Sequence, residues 1–87
     1  MKVADISEIK RRVESLSRAS WLGPDLTEVN VEPHEDGLGG EFLRVDLVIG
    51  HPERVEWDNI AELVRSIEDS VLAIDDRFPS IFFPEAA

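Results

Sequence analysis

Two stretches of this chain alternate apolar and polar residues so regularly that they leave one way of pairing. Leu26 to Pro33 carries Thr27, Val29 and Val31 on one side and Glu28, Asn30 and Glu32 on the other. Phe42 to Ile49 carries Leu43, Val45, Leu47 and Ile49 on one side. Period-two alternation marks half-buried strands, and the run between them, His34 to Gly40, holds the turn signals Asp36-Gly37 and Gly39-Gly40. Two such strands joined by a short loop form an antiparallel hairpin. A one-residue slip would set an apolar row against a polar row. The register therefore places Val31 opposite Val45 and Val29 opposite Leu47, which also sets Glu32 across from Arg44, a favourable cross-strand pair. His51-Pro52 ends the second strand, because proline cannot continue the ladder. The strands are predicted at 26–33 and 42–50.

On either side of the hairpin the period becomes helical. Ile6, Ile9, Val13 and Leu16 recur at spacings of three and four, one narrow stripe on a helix over about 5–20. Asp5 with Glu8 has the spacing of a capping box. Glu8 with Arg12 and Glu14 with Arg18 are i,i+4 pairs, and Gly23-Pro24 closes the segment. Ile60, Leu63, Val64, Ile67, Val71 and Leu72 make a broader stripe over about 59–74. Asn59 and Glu62 again have capping-box spacing. Asp75-Asp76 stands at the C-terminal end, where negative charge opposes the helix dipole, so fraying is expected there. Arg77-Phe78-Pro79 reads as a turn, 80–83 as a short third strand, Pro84 as its stop and Glu85 to Ala87 as a tail.

The order is α-β-β-α-β in one domain spanning 1–87, an α+β fold of two layers. Only one face of the hairpin is apolar, so both helices should cover that face. The connection from second to third strand through a helix should be right-handed, with the third strand parallel to the second. The pattern leaves open whether the third strand lies beside the first or the second. A chain of 87 residues buries only about 60–65% of its unfolded surface, so a partner or a second copy would add to its stability.

Catalytic chemistry finds little material. There is no Cys and no Tyr, and Lys2 and Lys10 are the only lysines. Leu38-Gly39-Gly40 lacks the helix and lysine of a phosphate-binding loop. His34, Glu35 and Asp36 stand in one loop, His51 and Glu53 in another. The intervening strand, at ~3.3 Å per residue, holds those loops roughly 25 Å apart, so one ion cannot join them and no metal site is expected. Glu35-Asp36, Glu68-Asp69 and Asp75-Asp76 are neighbours in sequence rather than opposed carboxylates, and are expected in solvent, not in acid–base work. No catalytic residue and no cofactor is assigned.

Charge and surface say more. Nineteen acidic residues against nine basic ones give a net charge of -10. Such a field disfavours nucleic acid and anionic membranes and favours basic partners. No apolar run is long enough to span a bilayer, and the N-terminus lacks the apolar run of a signal peptide, so a cytoplasmic protein is expected. Trp21 follows the first helix and Trp57 precedes the second. Tryptophan usually packs at the rim of a core, yet it is also enriched at binding hot spots. Ile81-Phe82-Phe83 is bulky on both faces of a strand, and a two-layer domain covers one face only, so a large apolar side chain should remain exposed. Ile81, Phe82, Phe83, Trp57 and Trp21 are the candidate interface residues.

The run IAELVRSIEDSVLAIDDRFPSIFFPEAA, an amphipathic helix leading into a short RFPSIFF strand, resembles the ends of small bacterial proteins of unknown function. The whole chain, short, acidic and cysteine-free, is similar to the small partner proteins of toxin–antitoxin-type gene pairs. The resemblance is one of layout and implies an antitoxin, an immunity protein or a small subunit of a larger complex. It carries no catalytic or binding residue with it. The basic helix-turn-helix or ribbon-helix-helix element of a DNA-binding antitoxin is missing here. The expected function is a non-catalytic interaction module for a more basic protein. The alternative is a self-associating, dimeric domain with a groove for a small ligand.

Overall fold

In the computed structural model, which describes residues 1–87, the two alternating segments pair as strands β1 (Leu26–Glu35) and β2 (Glu41–Ile49). The ladder is antiparallel, with Val31 opposite Val45, Val29 opposite Leu47 and Glu32 opposite Arg44, the register that the alternation dictates. Helix α1 (Ile6–Ala19) precedes the hairpin, and helix α2 (Ile60–Leu72) and strand β3 (Pro79–Phe82) follow it. Strand β3 lies beside β2 and parallel to it, giving the order β1-β2-β3. The central position therefore belongs to β2, whose core-facing residues Leu43, Val45, Leu47 and Ile49 are all fully buried.

Both helices cover one face of this sheet. Ile9 and Val13 of α1 and Leu63, Ile67 and Val71 of α2 join Val29, Val31 and the four β2 residues in a single cluster. Helix α1 leans toward β1 and α2 toward β3, and the two helices touch each other. Ile81 of β3 and Phe83 just after it pack, partly buried, against the same cluster.

Several local expectations give way to tertiary structure. β1 continues through Pro33 to Glu35. Leu43, the residue opposite Pro33, sends its amide to Phe78 Oxygen on the β3 side. Pro33 thus occupies a position whose missing N–H would face away from β2, where proline is tolerated in an edge strand. Thr27 does not share the core face with Val29. A bulge between Leu26 and Glu28 reverses the alternation and buries Leu26 in its place, and the Thr27 hydroxyl donates to the Val48 carbonyl at 3.2 Å. Neither capping box forms: Asp5 and Asn59 make no side-chain cap, and Asn59 Nδ2 instead donates to Glu56 Oε2 at 3.2 Å. Glu14 and Arg18 approach to 3.9 Å, whereas Arg12 turns to Ser70 Oγ at 3.5 Å instead of pairing with Glu8. The C-terminal residues do not leave the sheet at Pro84, because Ile49 N donates to Pro84 O and Ala86 N to Ile49 O, each at 2.9 Å.

The largest departure lies at the end of α2, where a frayed, solvated pair of aspartates was expected. Asp75 is fully buried. Its Oδ2 accepts from Arg77 Nη2 at 2.7 Å and from the Ala4 amide at 2.9 Å, and its Oδ1 accepts from Arg77 Nε at 2.9 Å and the Arg77 amide at 2.8 Å. Asp76 N donates to Lys2 O at 2.8 Å and Lys2 N to Asp76 Oδ2 at 2.7 Å. The two acids thus tie down the segment that leads into α1. The unfavourable dipole position is offset by four hydrogen bonds to one charged carboxylate, each stronger than a neutral pair.

Candidate interaction surface

The face of the sheet opposite the helices is built by the alternate residues of each strand. β1 contributes Asn30, Glu32 and His34, and β2 contributes Phe42, Arg44, Asp46 and Val48. β3 contributes Ser80, opposite Arg44, and Phe82, opposite Asp46. No helix lies over these residues, because both helices are committed to the other face.

The aromatic groups on this face are held in place by their neighbours. Arg44 Cζ stands 4.3 Å from the centroid of the Phe82 ring, a cation–π contact worth about 0.5–1 kcal/mol at an exposed site. Arg44 Nε donates to Asp46 Oδ1 at 3.1 Å, which fixes the guanidinium above the ring. The cross-strand ion pair between Glu32 and Arg44 is therefore not made, although the two residues are register partners. His34 stacks on Phe42 with centroids 5.6 Å apart, and His34 Nε2 lies 3.4 Å from Glu32 Oε2. The result is a band of His34, Phe42, Arg44 and Phe82 running across all three strands, with Glu32 and Asp46 beside it. Aromatic rings interleaved with an arginine have the composition that concentrates binding energy at interfaces.

The five sequence-predicted interface residues separate into different places. Phe82 is 42% exposed on the open face. Ile81, one residue earlier and opposite Val45, points to the helix side, where it is partly buried against the core. Phe83 also packs against the core, its ring meeting Trp57 edge-to-face with centroids 5.4 Å apart. Trp57 Nε1 donates to Pro52 O at 3.2 Å, and the residue remains 41% exposed. Trp21 stands apart, lining with Leu16, Ala19 and Leu63 a shallow groove of about 320 Å³ between the helices. Sequence reasoning missed His34, Phe42 and Arg44. Their shared parity with Glu32 was visible, but their conjunction with Phe82 depends on β3 lying next to β2.

The histidine–carboxylate loops do other work. Asp36 Oδ1 accepts from the amides of Leu38 at 2.7 Å and Gly40 at 3.0 Å, closing the hairpin turn. Gly37 and Gly39 adopt φ of 82° and 89° there, a region that glycine enters without strain. His51 Nδ1 lies 3.2 Å from Glu53 Oε1. The Glu53 carboxyl is held below its ordinary range first by its own backbone amide and then by His51. No three His, Asp or Glu side chains converge as metal ligands would. No helix is long and apolar enough to cross a membrane.

Comparison with protein-family models, with curated proteins and with solved structures returns no match to this chain.

Proposed function

We propose that this chain is a non-catalytic, cytoplasmic protein-interaction module that docks a more basic protein on the open face of its sheet, as an antitoxin, an immunity protein or a small subunit of a complex would. The observation that carries this reading is the uncovered band around Phe82. A ring 42% exposed presents about 80 Å², and covering it is worth about 2 kcal/mol at ~25 cal/mol per Å². Arg44 pre-positions that ring, so little side-chain freedom is lost on binding. The net charge of -10 would draw a basic partner in and reject anionic surfaces.

The test is affinity purification of the tagged chain from its own cells, followed by reconstitution with the purified co-isolated protein. The reading expects a basic partner, binding that weakens as salt rises, and a Phe82→Ser variant that melts like wild type but binds at least tenfold more weakly. Equal binding by Phe82→Ser overturns it. A purified chain that sediments as a dimer, and as a monomer once Phe82 is replaced, would favour the self-associating reading instead.

A further inference from the structure

The order β1-β2-β3 makes β1 an edge strand along its whole length. The direction of its open backbone follows from β2. Leu43 N donates to Phe78 O and Ile49 N to Pro84 O, so the odd-numbered residues of β2 spend their backbone on β3. Their register partners on β1, Val29, Val31 and Pro33, belong to the non-hydrogen-bonded pairs and turn their peptide groups outward. Both ends of this edge are blunted. Arg18 Nη1 reaches Leu26 O at 3.3 Å and Nη2 reaches Thr27 O at 3.5 Å, and Pro33 has no N–H. Between them the N–H and C=O of Val29 and Val31 remain open, while their side chains are locked in the core.

The charges flanking this window decide what can occupy it. Glu28 and Glu32 are both exposed on either side of Asn30. Glu32 is not neutralised by Arg44, whose guanidinium is engaged by Asp46 and Phe82. A second copy pairing antiparallel, with Val29 against Val31 in both directions, would set Glu28 opposite Glu32 twice, and like charges directly opposite destabilise a ladder. An extended segment with lysine or arginine at alternate positions reverses that sign at both places. Strand addition draws its affinity from main-chain bonds and its specificity from such alternate side chains.

The geometry points to the β1 edge as the place where the basic partner adds a strand, its backbone pairing with Val29 and Val31 and its basic side chains with Glu28 and Glu32. This inference rests on the reading of the chain as a module for a basic protein, and adds where and how part of that partner binds.

Amide exchange and chemical-shift mapping of the full chain test it, with an eight-residue peptide alternating lysine and threonine as the probe. The lysine peptide should protect the Val29 and Val31 amides, and a glutamate–threonine peptide should not. Replacing both Glu28 and Glu32 with lysine should weaken the lysine peptide at least tenfold and admit the glutamate peptide, while Phe82→Ser should leave peptide binding unchanged. The inference is overturned if the lysine peptide leaves those two amides unprotected. It is also overturned if they become protected without peptide as protein concentration rises, the mark of a second copy. A natural partner that tolerates the Glu28/Glu32 reversal but is lost with Phe82→Ser would overturn the edge site and leave open-face docking intact. A partner indifferent to Phe82 but lost on the reversal would do the opposite.

Discussion

Arg77 grips Asp75 from two residues away, Nη2 to Oδ2 at 2.7 Å and Nε to Oδ1 at 2.9 Å, with the carboxylate fully buried and the guanidinium only 11% exposed. The same arginine reaches Glu41 Oε1 at 3.4 Å and Ala4 O at 3.3 Å. One ion pair therefore joins the end of α2, the start of β2 and the segment that enters α1.

Replacing Asp75 with asparagine leaves Arg77 only the exposed Glu41, 3.4 Å away, as a charged partner. Removing one member of a buried pair costs about 3 kcal/mol, which for a domain of this size lowers the melting temperature by more than ten degrees. The Ala4 amide, which donates to Asp75 Oδ2, should exchange faster with solvent. Calorimetry and hydrogen exchange read both effects. An unchanged melting temperature would show that the pair contributes nothing net.

The acid limb of stability should follow the same residue. The hydrogen bond from the Arg77 side chain, helped by the Ala4 and Arg77 amides, holds the Asp75 carboxyl far below its ordinary range in the folded chain. The unfolded chain binds its proton first, near pH 3.9 (about the ordinary aspartate value). Asp75 therefore contributes fully above about pH 4, and that contribution drains away as pH falls toward the folded-state value. Urea melts between pH 6 and 2 should show a steeper loss in wild type than in Asp75→Asn.

Two adjacent phenylalanines should respond in opposite ways. Phe83 packs on Trp57 and the core, so Phe83→Ser should cost about 2–3 kcal/mol, below the 3–5 typical of a fully buried phenylalanine. Phe82 lies on the open face, and Phe82→Ser should lose under about 1 kcal/mol, chiefly its contact with Arg44. Thermal melts of the two variants decide it.

Ser17 is fully buried on the core side of α1, and its Oγ has no hydrogen-bond partner. An unsatisfied buried hydroxyl costs about 1–3 kcal/mol, and alanine is the better helix former. Ser17→Ala should raise the melting temperature by at least four degrees; a fall would show that the hydroxyl is satisfied.

Gly23 sits where a Cβ would lie 2.2 Å from the Arg18 carbonyl oxygen. Gly23→Ala must push the turn off the end of α1, at a cost of about 1–3 kcal/mol. Chemical denaturation of the alanine variant checks this, and wild-type stability would mean that the turn relaxes freely.

The hairpin, its register and the side of the sheet that the helices cover were written in local pattern. Alternation at Val29, Val31, Val45 and Leu47 has period two, and only one register buries both rows. The placement of β3 was not, because its four residues carry no signal that distinguishes a neighbour; packing of α2 beside α1 brings it to β2. The roles of Asp75, Arg77 and Glu32 were hidden for a related reason. Helix-end rules and cross-strand rules describe charges in solvent, whereas the final partner of each charge is whichever group the folded chain carries to it. Burial of Asp75 became tolerable only once Arg77 and the Ala4 amide arrived, and Glu32 was left to His34 rather than Arg44 only once β3 brought Phe82 beneath Arg44. The sequence determined which apolar residues of the hairpin ladder and the two helix stripes face inward, though not the exchange of Thr27 for Leu26 or the burial of Asp75. Tertiary structure decided which backbone edge and which polar face remain open, because both depend on the order of strands distant in the chain.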